Sequence, residues 1–441
     1  MEEKPSLIHG RNKPIRAWKY NQEVSQHIDD LTSPLFDVVS KKQREALYQN
    51  PLNSIHLSVP LEPDAAERAA KLLEKWKKDG TLEQDHLPGI YVYYQYFKLA
   101  GSPKEFCRKG FVCHIRTYDW KENVILRHEN TIPKSVNDRI TLLEKTELQV
   151  SPTHGLYTDE QFELEGYMDE AITHPIYETE DYQGVRDVLA VIHDALVIQK
   201  FIECLKKKTI ILADGHHRYE GSLIHKHNRQ ALNQHHTGQE GYNFHLMYLT
   251  NTEAGDLRIL PTHRLIKDVV NFNETRITLK LEEDFIVKAV EDPDTLNEII
   301  QGKQWAFGII FKDAAYKVRL KPEAISKMTW HFPEEVKVLD LTIMHYFIIE
   351  KIVGIPGKEQ RQSESIDFDR SFSDCLTKVI KEEVQMAIIT NEVTIDDVKK
   401  VCKSGYTMPQ KSTYFYPKVI CGFLFSSIKE DEFHTPAYSL F

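Results

Sequence analysis

The densest run of chemistry-bearing side chains is Ala213-Asp214-Gly215-His216-His217-Arg218-Tyr219-Glu220, placed directly after the apolar Ile210-Ile211-Leu212. It joins the end of a strand to the start of a helix. The first amides of a helix have no internal partners and carry partial positive charge, so they attract anions. Gly215 lets a ligand approach the backbone, and His216, His217 and Arg218 add donors at the same spot. Phosphate is the natural guest of such a turn. The plainer alternative is that Asp214 caps the helix and the histidines lie on the surface.

Three further polar clusters stand apart in the chain. Arg127-His128-Glu129-Asn130-Thr131 offers Glu129 as a general base or metal ligand, ahead of a helix that has Asp138-Arg139 in its first turns and runs through Glu144. Pro261-Thr262-His263-Arg264 follows the apolar Leu257 to Leu260, so His263 and Arg264 sit where a strand ends. Met408 to Lys418 carries Lys411, Ser412 and Lys418 among aromatics and two prolines, a composition suited to phosphate or to a substrate wall. It is not a Walker loop, because only Gly405 precedes Lys411. No H-E-x-x-H or paired-cysteine zinc pattern occurs. Adjacent helical histidines such as His216 and His217 diverge by about 100° and seldom share an ion. Mg²⁺ carried with a nucleotide needs only one or two carboxylates and stays compatible with these residues.

Hydrophobic rhythm supplies the elements that position the clusters. A helix is predicted within Asp64 to Gly80, and strands over Ile90 to Phe97 and Gly110 to Arg116, with Gly101, Pro103 and Gly110 in the loop between them. Strand Arg186 to Ile192, helix Asp194 to Lys206, strand Thr209 to Ala213 and helix His217 to Leu232 make a βαβα passage. Asn243 to Leu265 reads as two strands around Asn251 to Gly255, and Trp305 to Leu320 as a hairpin around Asp313. An amphipathic helix is expected over Val338 to Val353. Helix Phe372 to Glu383, strand Gln385 to Thr390, helix Ile395 to Lys403 and strand Tyr414 to Phe425 follow, as a βαβ unit plus a helix. The expected class is α/β (α+β) with mixed sheets. It divides into an N-terminal α/β region over 1–150, a core bearing the Asp214 to Arg218 motif over 151–268, and a C-terminal α/β region over 269–441.

Composition narrows the partners. The 441 residues carry a net charge of -10, which repels a nucleic-acid backbone, and their 41% hydrophobic and 28% charged content is that of a soluble globular protein. Six cysteines without a C-x-x-C pair fit a reducing compartment, so a cytoplasmic location is expected. Neither a secretory signal nor a membrane segment is expected.

On these clusters the chain resembles the family called domain of unknown function 1015. The resemblance runs through Lys13-Pro14, Pro34 to Val38, His128 to Thr131, Ala213 to Glu220, Pro261 to Arg264 and Met408 to Lys418. Relatives usually read Pro-Pro-Tyr-Asp-Val where this chain has Pro34-Leu35-Phe36-Asp37-Val38, so a tyrosine hydroxyl is missing here. Asp214 to Arg218 is also similar to the D-G-H-x-R signature of the ParB and sulfiredoxin superfamily, some of whose members phosphorylate free serine while others hydrolyse CTP. The resemblance implies a ParB-like nucleotide-binding core holding ATP or ADP with Mg²⁺, and a phosphotransferase acting on a small hydroxylated metabolite such as serine. Glu129, Asp214 and His216 would be catalytic. Gly215, His217, Arg218, His263, Arg264, Lys411, Ser412 and Lys418 would bind the nucleotide. Two alternatives stay open: a ParB-like nucleotide switch without catalysis, and a metal-dependent hydrolase. The enzyme reading expects these distant segments to converge on one pocket at residue 215.

Overall fold

The computed structural model describes residues 11–35, 38–99, 102–409 and 411–433. Phe36, Asp37 and Gly101, and Gln410 within the span Met408 to Lys418, lie outside the described residues. The fold is mixed α/β, in two units each assembled from separate stretches of chain. Unit 1 takes residues 1–127, 131–257 and 417–441; unit 2 takes 128–130 and 258–416.

Unit 1 is organised by a nine-stranded sheet. Its strands are β1 (Asn12–Lys13), β2 (Ile90–Lys98), β3 (Glu105–Arg116), β4 (Ile125–Arg127), β5 (Thr153–Tyr157), β6 (Tyr177–Glu180), β7 (Arg186–Ile192), β8 (Ile210–Asp214) and β9 (Phe244–Asn251). The order is β4-β8-β5-β9-β3-β2-β7-β6, with β1 on β3. Side chains alternate between faces along each strand, which separates two cores. Tyr91, Tyr93, Val112, Leu189, Leu246 and Tyr248 pack with helix α1 (Ala65–Lys78) and with Phe423 to Phe425. Ile90, Val92, Phe111, Cys113, Met247 and Leu249 face the opposite way, onto Phe201 and Tyr219 of the later helices. Helix α2 (Pro133–Thr146) starts with proline, whose fixed φ suits a first turn. Helix α3 (Ala195–Leu205) is capped by Asp194, which accepts from the amides of Leu196 and Val197. Helix α4 (His216–Leu232) follows β8 after a single residue.

Gly110, expected in a loop, lies inside β3. A Cβ there would meet the Leu249 carbonyl and the Tyr248 ring, both at 2.5 Å, so this glycine serves close strand packing.

Unit 2 holds strands β10 (Arg258–Leu260), β11 (His263–Ile266), β12 (Phe285–Val290), β13 (Ala306–Ile310), β14 (Ala315–Leu320), β15 (Ile366–Asp369), β16 (Met386–Ile389) and β17 (Tyr414–Tyr416). Six of them form one sheet, β12-β14-β13-β16-β11-β15, and β10 pairs with β17. The hairpin of β13 and β14 is present as expected. The two strands expected within Asn243 to Leu265 do not pair, because β9 belongs to the unit 1 sheet while β10 and β11 join two others. The C-terminal βαβ unit is also absent: β16 runs antiparallel to both β11 and β13, and the strand expected from Tyr414 to Phe425 stops at Tyr416 and pairs with β10 in a different sheet. The helix expected over Val338 to Val353 is a short α-turn leading into a π-helix, Met344–Val353. Of its 10 residues all but Glu350 and Lys351 are buried, so it is a core element, not an amphipathic surface helix. Among the described residues no helix is long and apolar enough to cross a membrane.

Candidate functional site

The sequence-predicted residues fall into two groups, one in each unit. In unit 1, Asp214, Gly215, His216, His217 and Arg218 gather with Lys418. Strand β8 delivers Asp214, Gly215 turns the chain with φ +87°, and α4 begins at His216. No side chain caps this helix, so the expectation that Asp214 does so gives way to a different role. One Asp214 oxygen takes the Lys418 ammonium, and the other accepts from Arg218 Nη2 at 3.1 Å. Burial alone would raise the Asp214 carboxyl, but Lys418 and Arg218 together overcome it and hold the group well below the usual carboxylate range. Two cations on one carboxylate leave a net positive charge beside the helix start. Arg218 Nη1 also donates to Ser151 Oγ at 2.8 Å and to the Pro152 carbonyl at 2.7 Å. At Gly215 a Cβ would meet Thr153 Cγ2 at 2.6 Å and Arg218 Nη2 at 2.8 Å, so glycine is needed for both backbone and space. The two histidines diverge: His216 is buried, while the Ile132 amide donates to His217 Nε2 at 3.0 Å.

The same sheet face carries a buried polar network that sequence reasoning missed. Asp187, on β7, is fully buried and accepts from Tyr93 Oη at 2.5 Å and Gln95 Nε2 at 2.7 Å. Gln95 in turn accepts from buried Arg108 and donates to the Lys418 carbonyl at 2.9 Å. Lys418 thereby touches this network through its backbone and Asp214 through its side chain. His154, next in line on β5, bonds Thr250 Oγ1 at 2.7 Å, and burial pushes it well below the usual histidine range. Burial raises the Asp187 carboxyl to about 7 against the hydrogen bonds from Tyr93 and Gln95. The available signal was a charged or amide residue inside each apolar strand: Gln95 in β2, Arg108 in β3 and Asp187 in β7.

In unit 2, the 128–130 segment is tied to the 407–413 loop. The Met408 amide donates to the His128 carbonyl at 2.7 Å, and Asn130 Nδ2 donates to Thr407 Oγ1 at 2.8 Å. Glu129 Oε1 accepts from the Ser412 amide at 3.2 Å and from Thr413 Oγ1 at 3.4 Å; the same hydroxyl lies 2.7 Å from His128 Nε2. A hydroxyl that donates to Glu129 must accept from His128, which fixes the direction of the relay. Arg264 is fully buried, and burial lowers it to about 9 while Glu129 opposes the shift. Its guanidinium and the Lys411 ammonium lie 5.3 and 4.8 Å from the Phe368 ring. His263 Nδ1 accepts from the Thr390 amide at 3.3 Å, and burial with Arg264 nearby lowers this imidazole to about 4. Three of the four polar clusters therefore contribute to one neighbourhood within unit 2. Among the described residues no three His, Cys, Asp or Glu side chains come together as a metal site.

A family model described as protein of unknown function (DUF1015) matches residues 13–342. The chain belongs to this family. No curated protein matches it significantly. Among solved structures, a free serine kinase in complex with AMP is similar at 14% identity and a TM-score of 0.37, covering 73% of this chain and 93% of that one. SbnI with a C-terminal truncation, from Staphylococcus aureus, is similar at 12% identity and a TM-score of 0.34, covering 73% and 90%. A conserved hypothetical protein from Pyrococcus furiosus is similar at 12% identity and a TM-score of 0.34, covering 69% and 90%.

Proposed function

We propose that unit 1 binds the phosphates of a nucleotide, ATP or ADP, at Gly215 to Arg218, and that the protein is a phosphotransferase for a small hydroxylated metabolite such as free serine. The observation that carries this reading is the uncapped start of the 17-residue helix α4, flanked by Arg218 and Lys418 and opened by Gly215. Phosphoryl transfer asks mainly for positioning and charge neutralisation, which oriented amides, a guanidinium and an ammonium supply without reorganising. Asp214, with each oxygen on a cation, holds Arg218 and Lys418 in place. This occupancy makes it a poor Mg²⁺ ligand, so Mg²⁺ would travel with the nucleotide phosphates and add charge neutralisation there. Gly215 supplies the left-handed turn that opens α4, and the Arg218 amide follows those of His216 and His217 along the first turn. For unit 2 the assignments rest on residue type and concern that unit by itself: a carboxylate, Glu129, among Arg264, Lys411, Ser412 and His263, groups suited to a substrate or a phosphate.

The binding test is titration calorimetry with ATP, ADP and CTP plus Mg²⁺ on the wild-type chain and on Arg218→Gln. Arg218 is largely buried and hydrogen-bonded, so the variant is first shown to be folded before its binding is read. Binding to wild type that disappears in folded Arg218→Gln supports the reading. Absence of binding to any of the three nucleotides overturns it. Transfer of label from γ-phosphate ATP or β-phosphate ADP to serine then distinguishes an enzyme from a switch.

A further inference from the structure

Unit 2 contains a cavity of about 600 Å³, within the size range of small-molecule sites. Its walls include Trp330, Phe332 and Phe368. Trp330 is held rigidly: its Nε1 donates to Glu350 Oε1 at 3.2 Å, and a Cβ on Gly357 would lie 2.3 Å from its ring. Glycine at 357 therefore lets the backbone press against the indole and fix it as a flat wall. Flat rings held this way receive a planar guest by stacking.

Two polar side chains on the same lining turn this apolar chamber into a specific one. His345 and Thr342 are 5% and 1% exposed, and among the described residues His345 Nε2 and Thr342 Oγ1 have no hydrogen-bond partner. Buried polar atoms without partners are costly and uncommon. The protonation of His345 follows from its neighbour. Gln360 Nε2 donates to the carbonyls of His345 at 3.0 Å and Ile355 at 2.9 Å, which orients the amide so that Oε1 faces His345 Nδ1 at 2.7 Å. Nδ1 must then carry the proton. Burial, with Arg264 nearby, lowers this imidazole to about 3, so Nε2 presents a bare lone pair. His345 is the second residue of the π-helix, a conformation common at functional sites. Lys358, on the lining, is exposed to solvent and supplies a cation at the mouth.

We propose that this cavity binds a small planar N-heteroaromatic acid, stacked on Trp330, donating a ring N–H to His345 Nε2 and turning its anionic substituent toward Lys358. Thr342 Oγ1 bonds a second polar atom on the ring edge. None of the residues invoked for this cavity belongs to the phosphate site proposed for unit 1.

Saturation-transfer NMR and calorimetry on the full chain test it with indole-3-acetate, orotate and urate, and with benzofuran-3-acetate, in which oxygen replaces the ring N–H. At least one of the three N–H acids binds wild type, and the isosteric Thr342→Val and the Trp330→Ala variants weaken it by about tenfold or more. If indole-3-acetate binds, benzofuran-3-acetate binds at least about tenfold more weakly. Arg218→Gln leaves the affinity unchanged. Failure of all three acids to bind at millimolar concentration overturns the proposal, as does unaltered binding in both folded cavity variants. Equal binding of the indole and benzofuran acids, or loss in Arg218→Gln, overturns it too.

Discussion

Gly215→Ala puts a methyl group where the structure has no room. The backbone there has φ +87°, and holding an L-residue in the left-handed region costs about 1–2 kcal/mol. The new Cβ would also stand 2.6 Å from Thr153 Cγ2 and 2.8 Å from Arg218 Nη2. Arg218 is a flexible side-chain end and can withdraw; Thr153, buried in β5, cannot, and overpacking of that kind costs about 1–3 kcal/mol. The total is about 2–5 kcal/mol. Thr153→Ser removes the offending methyl and keeps the hydroxyl that lies 3.1 Å from His245 Nε2, so the double variant recovers about 1–2 kcal/mol. Hydrogen–deuterium exchange of peptides spanning 210–220 reads the local stability of β8 and the start of α4. Nucleotide affinity should stay lost in both variants, because the methyl still displaces Arg218 and blocks approach to the helix. Equal protection in Gly215→Ala and wild type, or no recovery in the double variant, refutes the steric reasoning. Normal affinity in Gly215→Ala refutes the link to binding.

Asp187→Asn should alter the pH dependence of stability. Burial pushes the native carboxyl up from 3.8 to about 7, so folding favours its protonated form. The stabilisation it contributes is complete below about pH 4 and fades as pH rises through about 7, a change of about 4 kcal/mol at roughly 1.4 kcal/mol per pH unit. Urea midpoints taken from pH 4 to pH 8 should fall for wild type relative to the variant; parallel profiles contradict the account. Lys418→Met leaves Asp214 with Arg218 alone and should destabilise unit 1 by about 3 kcal/mol, measured by urea denaturation; a change under about 0.5 kcal/mol contradicts the buried pairing. Glu129→Gln should loosen the 407–413 loop, seen as faster amide exchange at Ser412 and Thr413 with little change at β13.

Local elements were legible in the sequence wherever one physical preference dominated. Arg186 to Ile192 is a run of branched and apolar residues and forms β7 over that span, and Asp194 announces α3 by its capping side chain. The strand, turn and helix at 210–232 were likewise written in Ile210-Ile211-Leu212 and Gly215. What escaped was tertiary. Gly110 looks like a loop residue until Leu249 and Tyr248 close over it. Met344 to Val353 has polar punctuation at His345 and Glu350, yet His345 Nδ1 bonds Gln360 and Glu350 bonds Trp330 inside unit 2, and most of the segment is buried. Strand pairing is non-local, which hid the antiparallel placement of β16. The site residues were legible as types, but the partners that define them were not. Nothing near Asp214 in sequence foretells Lys418, and nothing near Glu129 foretells Ser412.

The most direct measurement is calorimetric titration of ATP with Mg²⁺ into the full chain, repeated with folded Arg218→Gln and Gly215→Ala. The account predicts one saturable site in wild type and none in either variant. A wild-type protein that takes up no nucleotide, or variants that bind as tightly as wild type, would contradict it.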